Sequence, residues 1–399
     1  MTRRVLFRGG SVLDVASGEV RRSDVVLAGD RIFEVGIGLD GDEAVDCDGG
    51  LLVPGFIDCH THLCITQTRI DPFGLPRSVR PLSAVPVLRT LLGLGVTTVR
   101  DAWGADAGVR MAVEKGWIDG PQVLLSLRQV GTTGGIGDLW APRTGPLDFF
   151  EDPSLPDPIF NGADEARAVV RRMIRAGADW IKVTATGSLA IGKGLTDLEL
   201  TDDEMIALVD EARRRGGRRI MVHAHGARAA ELAARAGAGS IEHGTYLDES
   251  AVRAMADSGT WYVPTLSVTQ SDPTAVPDGA AEAHRESMRL AIAAGVNIAM
   301  GTDNPVRPHT EVLWELRHLA AAGLGDAGAL RAATIGAARL LGLADDRGEI
   351  AVGKRADLVL LDGTELDCTA LDGRIRRVFH NGAESGVDPD TVSGRRPGA

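Results

Sequence analysis

The pattern of apolar and polar positions divides the chain into two ends and a middle. Residues 1–50 form short apolar runs separated by glycine turns, a pattern typical of β-strands, and residues 356–382 repeat it. We expect both ends to build one small β-sandwich domain that comprises residues 1–53 and 347–386. The Pro-, Gly- and Arg-rich tail at 387–399 is expected to be disordered.

Between residues 54 and 346, apolar strands alternate with helical segments. One segment, residues 201–215, begins with Thr-Asp-Asp-Glu, the signature of a capping box at a helix N-terminus. Strand–helix alternation predicts a parallel sheet, and eight strands over about 250 residues predict a (β/α)8 TIM barrel. A doubly wound open sheet is the second interpretation. The predicted strands end near His62, Trp103, Val130, Gly187, Gly226, Gly244, Leu266 and Asp303.

Composition and charge exclude several classes of protein. The 399 residues are 44% hydrophobic and 25% charged, which is typical of a globular protein with a large core. A net charge of −12 argues against nucleic-acid and anionic-membrane partners, and no apolar run approaches the roughly 18 residues of a membrane helix. The N-terminus lacks the apolar segment of a secretory signal, so we expect a cytoplasmic protein. We also expect a small-molecule or peptide substrate. The sequence leaves homo-oligomerisation open.

Histidines cluster at the ends of three predicted strands. His60 and His62 close one apolar strand and share a face of it, because residues i and i+2 of a strand point the same way. His223 and His225 repeat this spacing, and His243 ends the next strand, one strand-plus-helix unit later. Imidazoles gathered at the carboxyl ends of parallel strands indicate a site for a divalent metal.

Lys182 and Asp303 complete this group of strand-end polar residues. Asp303 ends the last predicted strand and offers a carboxylate ligand. Lys182 lies within the strand Ile-Lys-Val-Thr of a chain that has four lysines among 43 basic residues. A neutral lysine amine can react with carbon dioxide to give a metal-bridging carbamate, whereas arginine, which is always charged, cannot. A lysine ion-paired inside the barrel is the alternative.

The combined motifs resemble the amidohydrolase superfamily, in the imidazolonepropionase-like branch that includes metal-dependent Xaa-Pro and Xaa-Arg dipeptidases. The resemblance covers nearly the whole chain, including the terminal β domain. It includes the lead-in Pro-Gly-Phe-Ile-Asp at 54–58 and the closing segment Gly-Glu-Ile-Ala-Val-Gly-Lys-Arg-Ala-Asp-Leu at 348–358.

The resemblance implies a centre of two divalent metal ions. His60, His62 and Asp303 would bind the more buried ion, and His223 and His243 would bind the second. Lys182, as its carbon dioxide-derived carbamate, would bridge the two ions. We expect zinc, although such ligands also accept Mn, Co and Fe. Asp303 would also act as general base toward a metal-bridging hydroxide and then protonate the leaving amine.

Three residues are predicted to contact the substrate. His225 shares the face of His223, with a core histidine as the alternative reading. Tyr246 lies just beyond His243, where similar dipeptidases have a tyrosine that meets the substrate carboxylate. Ile136 occupies the position at which relatives often carry a histidine in a Gly-Gly-His-Gly-Asp run, and isoleucine cannot donate a hydrogen bond there. This departure argues against ordinary dipeptidase activity.

The segment that follows Ile136 is long and rich in Gly, Pro and Asp. It contains Trp140, Phe149 and Phe150, and we expect it to form a lid that admits a larger or more apolar substrate. The remaining histidines fall in helical or terminal segments and are predicted to be surface residues: His284, His309, His318 and His380.

Three functions compete. The first is hydrolysis of an amide or peptide bond, as in a dipeptidase, a carboxypeptidase-like enzyme or an enzyme that processes modified peptides. The second is hydrolysis of a cyclic amide or a lactone. Lys182 favours the first, because imidazolone hydrolases of the superfamily typically use one metal and no carbamate. The third is a non-catalytic homologue, which the retention of all six metal ligands disfavours.

Overall fold

The computed structural model describes residues 2–65, 76–143, 145–147, 152, 155–189, 194–387 and 391. The predicted lid residues Phe149 and Phe150, and most of the predicted tail at 387–399, lie outside the described residues. The strands, in chain order, are β1 (Arg4–Arg8), β2 (Ser11–Asp14), β3 (Glu19–Arg22), β4 (Asp24–Ala28), β5 (Arg31–Gly36), β6 (Glu43–Asp46), β7 (Leu51–Pro54), β8 (Phe56–Thr61), β9 (Val96–Asp101), β10 (Gln122–Leu125), β11 (Gln129–Val130), β12 (Leu139–Ala141), β13 (Gly145–Leu147), β14 (Ile181–Thr184), β15 (Ile220–Gly226), β16 (Ser240–Tyr246), β17 (Trp261–Val263), β18 (Leu358–Leu361), β19 (Ile375–His380) and β20 (Ala383–Glu384).

The α-helices of the described residues lie mostly between the central strands. In chain order they are α1 (Val79–Gly93), α2 (Ala107–Glu114), α3 (Ala163–Arg175), α4 (Asp202–Arg214), α5 (Ala227–Ala236), α6 (Glu249–Ser258), α7 (Ser267–Gln270), α8 (Ala280–Ala293), α9 (Trp314–Leu319), α10 (Gly325–Arg331) and α11 (Ala337–Leu341). The capping box predicted at the start of α4 is present, with Thr201 and Glu204 bonded reciprocally. Among the described helices, none has the length and hydropathy that crossing a bilayer requires.

Strands from both chain ends share two sheets. One sheet has the order β20-β19-β18-β7-β2-β3, so C-terminal β18 pairs antiparallel with N-terminal β7. The other has the order β5-β4-β1-β6. Between them lies an apolar core in which the rings of Phe7 and Phe379 meet edge to face at 4.7 Å. The two ends therefore fold against each other, while the exact domain bounds stay a prediction.

The middle of the chain forms two parallel sheets, β10-β9-β8 and β11-β14-β15-β16-β17. Every residue of β8, β9 and β14 is buried, as expected for strands covered on both faces. Residues 297–304 connect the free edges of these sheets, because the amide of Ala299 donates to Tyr262 O (3.0 Å) and that of Cys59 donates to Met300 O (2.9 Å). The structure thus has the α/β class that the sequence predicts.

The last predicted strand, which was expected to end at Asp303, is irregular. Residues 297–304 make isolated bridges to Tyr262 and Thr61, and no continuous strand is formed there. Gly301 explains part of this, because a Cβ atom at that position would lie 2.3 Å from Val263 Cγ1 and 2.8 Å from His60 Cβ. The backbone therefore approaches its neighbours more closely than a regular strand with side chains allows.

Candidate metal centre

His60 and His62, at the end of β8, both point an Nε2 atom at Asp303. His60 Nε2 lies 3.2 Å and His62 Nε2 lies 3.0 Å from Asp303 Oδ1. On the other side of each ring, His60 Nδ1 bonds Glu242 Oε2 (2.6 Å) and His62 Nδ1 bonds the carbonyl oxygen of Trp103 (2.9 Å). A carbonyl can only accept, so His62 carries its proton on Nδ1 and its Nε2 lone pair is available to a metal.

His223 and His243 lie beside this group, with rings 4.6 Å apart. His243 Nδ1 bonds Thr265 Oγ1 (2.8 Å), so its Nε2 faces inward. His223 has the opposite arrangement, because its Nε2 donates to the carbonyl oxygen of Gly187 (2.8 Å) and its Nδ1 is left available. Burial, followed by the charge of Lys182, lowers the pKa of His223 to about 3, so this ring is neutral, the form that ligates metals.

Lys182 lies next to these histidines. Its Nζ atom is 3.1 Å from His60 Nε2, and the side chain is buried. Burial lowers the pKa of Lys182 to about 8, which brings the neutral amine within reach near neutral pH. Ligand atoms of His60, His243 and Asp303 all lie within 4.8 Å of one another. The six predicted ligands are therefore gathered in one cluster, in which His62 and Asp303 are partly exposed and the other four are buried.

A buried ion pair that the sequence reading missed supports His60. Glu242 accepts bonds from Arg100 Nη2 to both carboxylate oxygens (3.0 and 3.2 Å) and from the hydroxyl of Ser240. Burial acts to raise the pKa of Glu242, but Arg100 and His60 lower it to about 2. Arg100 also stacks on Trp180 at 4.4 Å. Arg100 within the predicted strand β9 was the available signal, since a charge buried in a sheet requires a partner.

Two of the predicted ligands have a backbone conformation that residues other than glycine rarely adopt. His243 has φ of +70° and Asp303 has φ of +58°, and Thr265, which bonds His243, has φ of +52°. Left-handed non-glycine residues of this kind cost roughly 1–3 kcal/mol each and concentrate at functional sites. Although burial acts to raise it, the pKa of Asp303 is held well below its usual range by His243 and by bonds from His60 and His62. Asp303 is therefore ionised.

Asp58 fixes the backbone on which His60 and Asp303 lie. Its Oδ1 accepts from the His60 amide (3.0 Å), and its Oδ2 accepts from the Thr302 hydroxyl (2.7 Å). The side chain is fully buried, and burial raises its pKa to about 7. This carboxyl connects the end of β8 to the residue before Asp303, so it positions the centre without facing it.

A cleft of about 700 Å³, partly open to solvent, leads to the histidines. His225 lines it with its Nδ1 bonded to Thr245 Oγ1 (2.8 Å) and its ring stacked on His243 at 5.0 Å. Arg307 and Asp272 provide charges along the cleft. Its apolar part consists of Leu189, Val268, Ala275, Val276 and Val306.

The other two predicted substrate residues have different surroundings. Tyr246 is half-buried at the end of β16, and Ile136 is buried. Neither is among the described residues that line this cleft. Trp140, predicted as part of a lid, lies on the β12–β13 hairpin and is 61% exposed. Substrate contacts of Tyr246 and Ile136 stay predictions.

The prediction that the other histidines are surface residues is wrong for His284 and His309, which are both buried. His284 lies on the face of α8 that packs on β16, and its Nδ1 bonds Thr269 Oγ1 at 2.8 Å. The signal was present in the sequence, because Ala280, Met288 and Ala291 share a helical stripe with His284.

A cluster of histidines with a lysine and an aspartate, built largely from parallel strands, is the arrangement expected for the active site of a metal-dependent hydrolase. The chain belongs to the amidohydrolase family, whose model matches residues 51–388. It is accordingly a hydrolase that acts on C–N bonds.

Known proteins show how this chain compares within the family. It is 30% identical to the ochratoxinase of Aspergillus niger over 79% of this chain and 71% of that protein. It is also 30% identical to the imidazolonepropionase of Psychromonas ingrahamii, over 79% and 80% of the two chains. A crystal structure of a prolidase complexed with N-methylphosphonate-L-proline matches with a TM-score of 0.84 and 31% identity, over 96% of this chain and 99% of that one.

Proposed function

We propose that this protein is a two-metal amidohydrolase that cleaves an acyclic amide or peptide bond. The observation that carries the proposal is the convergence of His60, Lys182, His243 and Asp303 in one buried cluster. Each histidine of the predicted ligand set has one ring nitrogen bonded to a residue outside that set, which leaves the other nitrogen for a metal within the cluster. Residues with these donors fit zinc or a similar divalent ion.

A proposal about the fold accompanies the proposed function. We infer that the two parallel sheets and residues 297–304 form one closed (β/α)8 barrel, approximately residues 54–346. The backbone bonds on both sides of residues 297–304 support closure. On the opposite side, the carbonyl of Leu125 in β10 accepts from the amides of Asp179 and Trp180, just before β14. The terminal sheets would then be a composite β domain of residues 1–53 and 347–386.

Within this centre the chain's own residues have separate roles. His60, His62 and Asp303 would hold one ion, and His223 and His243 the other, with Lys182 as a carbamate between them. Bound metal ions would supply acidification of water and polarisation of the scissile carbonyl. Asp303 Oδ1, oriented by His60 and His62, would accept a proton from the attacking water and return it to the leaving amine.

Hydrolysis of a cyclic amide is the second candidate, and the likeness to imidazolonepropionase favours it. The buried lysine favours the first candidate, because a one-metal centre does not require a bridging carbamate on Lys182 next to His60. The likeness to a prolidase also favours an acyclic amide. A non-catalytic homologue is the third reading, and the intact ligand cluster argues against it.

Metal analysis combined with a substrate panel tests the proposal. We expect two metal ions per chain and hydrolysis of N-acyl amino acids or dipeptides rather than lactams or lactones. Lys182→Arg is the matched variant, since arginine keeps the positive charge but cannot form a carbamate. It is expected to lose metal and activity. One metal per chain in the wild type, with cleavage confined to cyclic amides or esters, would contradict the proposal.

A further inference from the structure

The cleft, whose lining combines polar and aliphatic residues, has one permanent positive charge among its described residues. Of its described lining residues, Arg307 is the sole arginine or lysine, and it lies four residues after Asp303 on the same segment. Leu189, Val268 and Val306 are among the aliphatic residues that line the same space. A cation in such a position attracts an anionic group of the ligand more strongly than it would in open solvent.

Hydrogen bonding orients the Arg307 side chain and leaves part of it available. Its Nε donates to Glu311 Oε2 at 2.9 Å, and its guanidinium carbon lies 5.8 Å from the centre of the Trp314 ring. Within the described residues, neither of its two terminal nitrogens has a hydrogen-bond partner. A guanidinium held through Nε presents these terminal N–H groups, which can bind a carboxylate through charge-assisted bonds.

Asp272, the lining carboxylate outside the predicted metal centre, is already bonded within its own turn. Asp272 Oδ1 accepts from the amide (3.1 Å) and the hydroxyl (2.6 Å) of Thr274. Among the described residues it forms no direct ion pair with Arg307. Its bonds to Thr274 lower its pKa, and the charge of Arg307 acts on it only as a minor influence in the same direction. Glu311 is the one acid that pairs with Arg307 there, and it occupies Nε alone.

We propose that Arg307 binds the carboxylate of the substrate and so selects amides whose amine portion is an amino acid. The inference rests on the proposed amide hydrolysis. In an N-acyl amino acid the carboxylate is one carbon away from the scissile nitrogen. Asp303 would protonate that nitrogen, and Arg307 lines the same cleft as Asp303. The aliphatic residues would accommodate the acyl group. The substrate class is therefore an N-acyl amino acid that has a bulky apolar acyl group and a free carboxylate on its amino-acid portion.

Arg317 offers a matched control on the same aromatic ring. Its guanidinium carbon lies 3.7 Å from the centre of Trp314, the ring that Arg307 also approaches. Arg317 is not among the described residues that line the cleft. Arg307→Met and Arg317→Met therefore remove the same charge from the same neighbourhood, but only the first removes it from the cleft.

The test compares N-benzoyl-L-alanine with its neutral carboxamide, N-benzoyl-L-alaninamide, by benzoate release. We expect the wild type to prefer the acid and Arg307→Met to raise KM for the acid about 10- to 100-fold, the value of one charge-assisted bond. KM for the carboxamide should be unchanged, and Arg317→Met should keep the wild-type preference. An unchanged preference in Arg307→Met, with the melting temperature preserved, would overturn the inference.

Calorimetric binding separates this inference from the proposed function. The same two compounds are titrated into Asp303→Asn, with and without Arg307→Met, so that turnover is not required. Arg307-dependent binding of the acid without hydrolysis by the wild type would refute the proposed function and retain the carboxylate site. Hydrolysis by the wild type together with equal binding of acid and carboxamide would refute the carboxylate site alone.

Discussion

The two His-x-His pairs, His60/His62 on β8 and His223/His225 on β15, have the same sequence pattern and different geometry. In the first pair both rings bond the protein through Nδ1 and direct Nε2 to within 3.2 Å of one oxygen of Asp303. In the second pair His223 bonds the protein through Nε2 and His225 through Nδ1. The rings of this second pair are nearly perpendicular, at 87°.

The difference shows that strand spacing places the rings but does not decide what they bind. The i and i+2 rule fixes the face on which both side chains lie. Which nitrogen remains available depends on the partner behind the ring: a carboxylate, a carbonyl oxygen or a hydroxyl. The proposed function assigns His60, His62 and His223 to the metal centre, and His225 is predicted to contact the substrate. The following predictions test that division.

The largest effect is expected where the first pair converges. Asp303→Asn removes the proposed proton acceptor and alters a proposed ligand while keeping the shape of the side chain. We expect kcat to fall by about 10²–10⁴-fold or more, the usual contribution of a general base. Steady-state kinetics with metal content measured on the same samples checks this. Full metal loading with unchanged kcat would show that Asp303 has neither role.

Replacing one ring from each pair separates ligand from substrate contact. His60→Asn is expected to lose metal, and with it nearly all activity. His225→Asn should keep the wild-type metal content and lower kcat/KM by about tenfold, the value of one hydrogen bond of about 1–1.5 kcal/mol. Atomic absorption and steady-state kinetics give both readouts. Equal metal loss in the two variants would break the distinction between the pairs.

Substituting the residues that bond the outer nitrogens of these rings should have a smaller and more selective effect on metal affinity. Glu242→Gln keeps the size of the side chain that bonds His60 Nδ1 but removes its charge, and we expect metal affinity to fall about 10–100-fold. Thr245→Val removes the hydroxyl that bonds His225 Nδ1 and should leave metal affinity unchanged. Competition with a chelator measures both. A weakened affinity in Thr245→Val would place His225 among the ligands.

The sequence predicts which residues reach the strand ends, but not the contacts between strands distant in the chain. Lys182 and the strand-end histidines follow from local apolar patterns, and the structure brings them together. The Arg100–Glu242 pair does not follow, because its members are 142 residues apart and pair only once the strands align. The left-handed backbone of Asp303 likewise depends on tertiary packing, because aspartate tolerates this conformation but does not require it.

The smallest effect concerns the turn behind His243, the ring that lies next to both pairs. Glu315 is fully buried, and its two carboxylate oxygens accept from the amides of Leu266 (2.8 Å) and Ser267 (2.7 Å). These residues directly follow Thr265, whose hydroxyl bonds His243 Nδ1. Burial raises the pKa of Glu315 from 4.5 to about 7. The native state therefore holds this proton over a pH range in which the unfolded chain has released it.

Because the native state binds more protons between pH 4.5 and 7, the Glu315 contribution to stability decreases as pH rises through that window. The slope is at most about 1.4 kcal/mol per pH unit. Urea unfolding of the metal-free protein at pH 5 and pH 7 should show a smaller loss of stability for Glu315→Gln than for the wild type. Asp58, whose pKa is also raised to about 7, contributes in the same direction to both proteins, so the difference between them reports Glu315. Equal slopes would show that the turn behind His243 is insensitive to this proton, and the support of that ring would then rest on Thr265 alone.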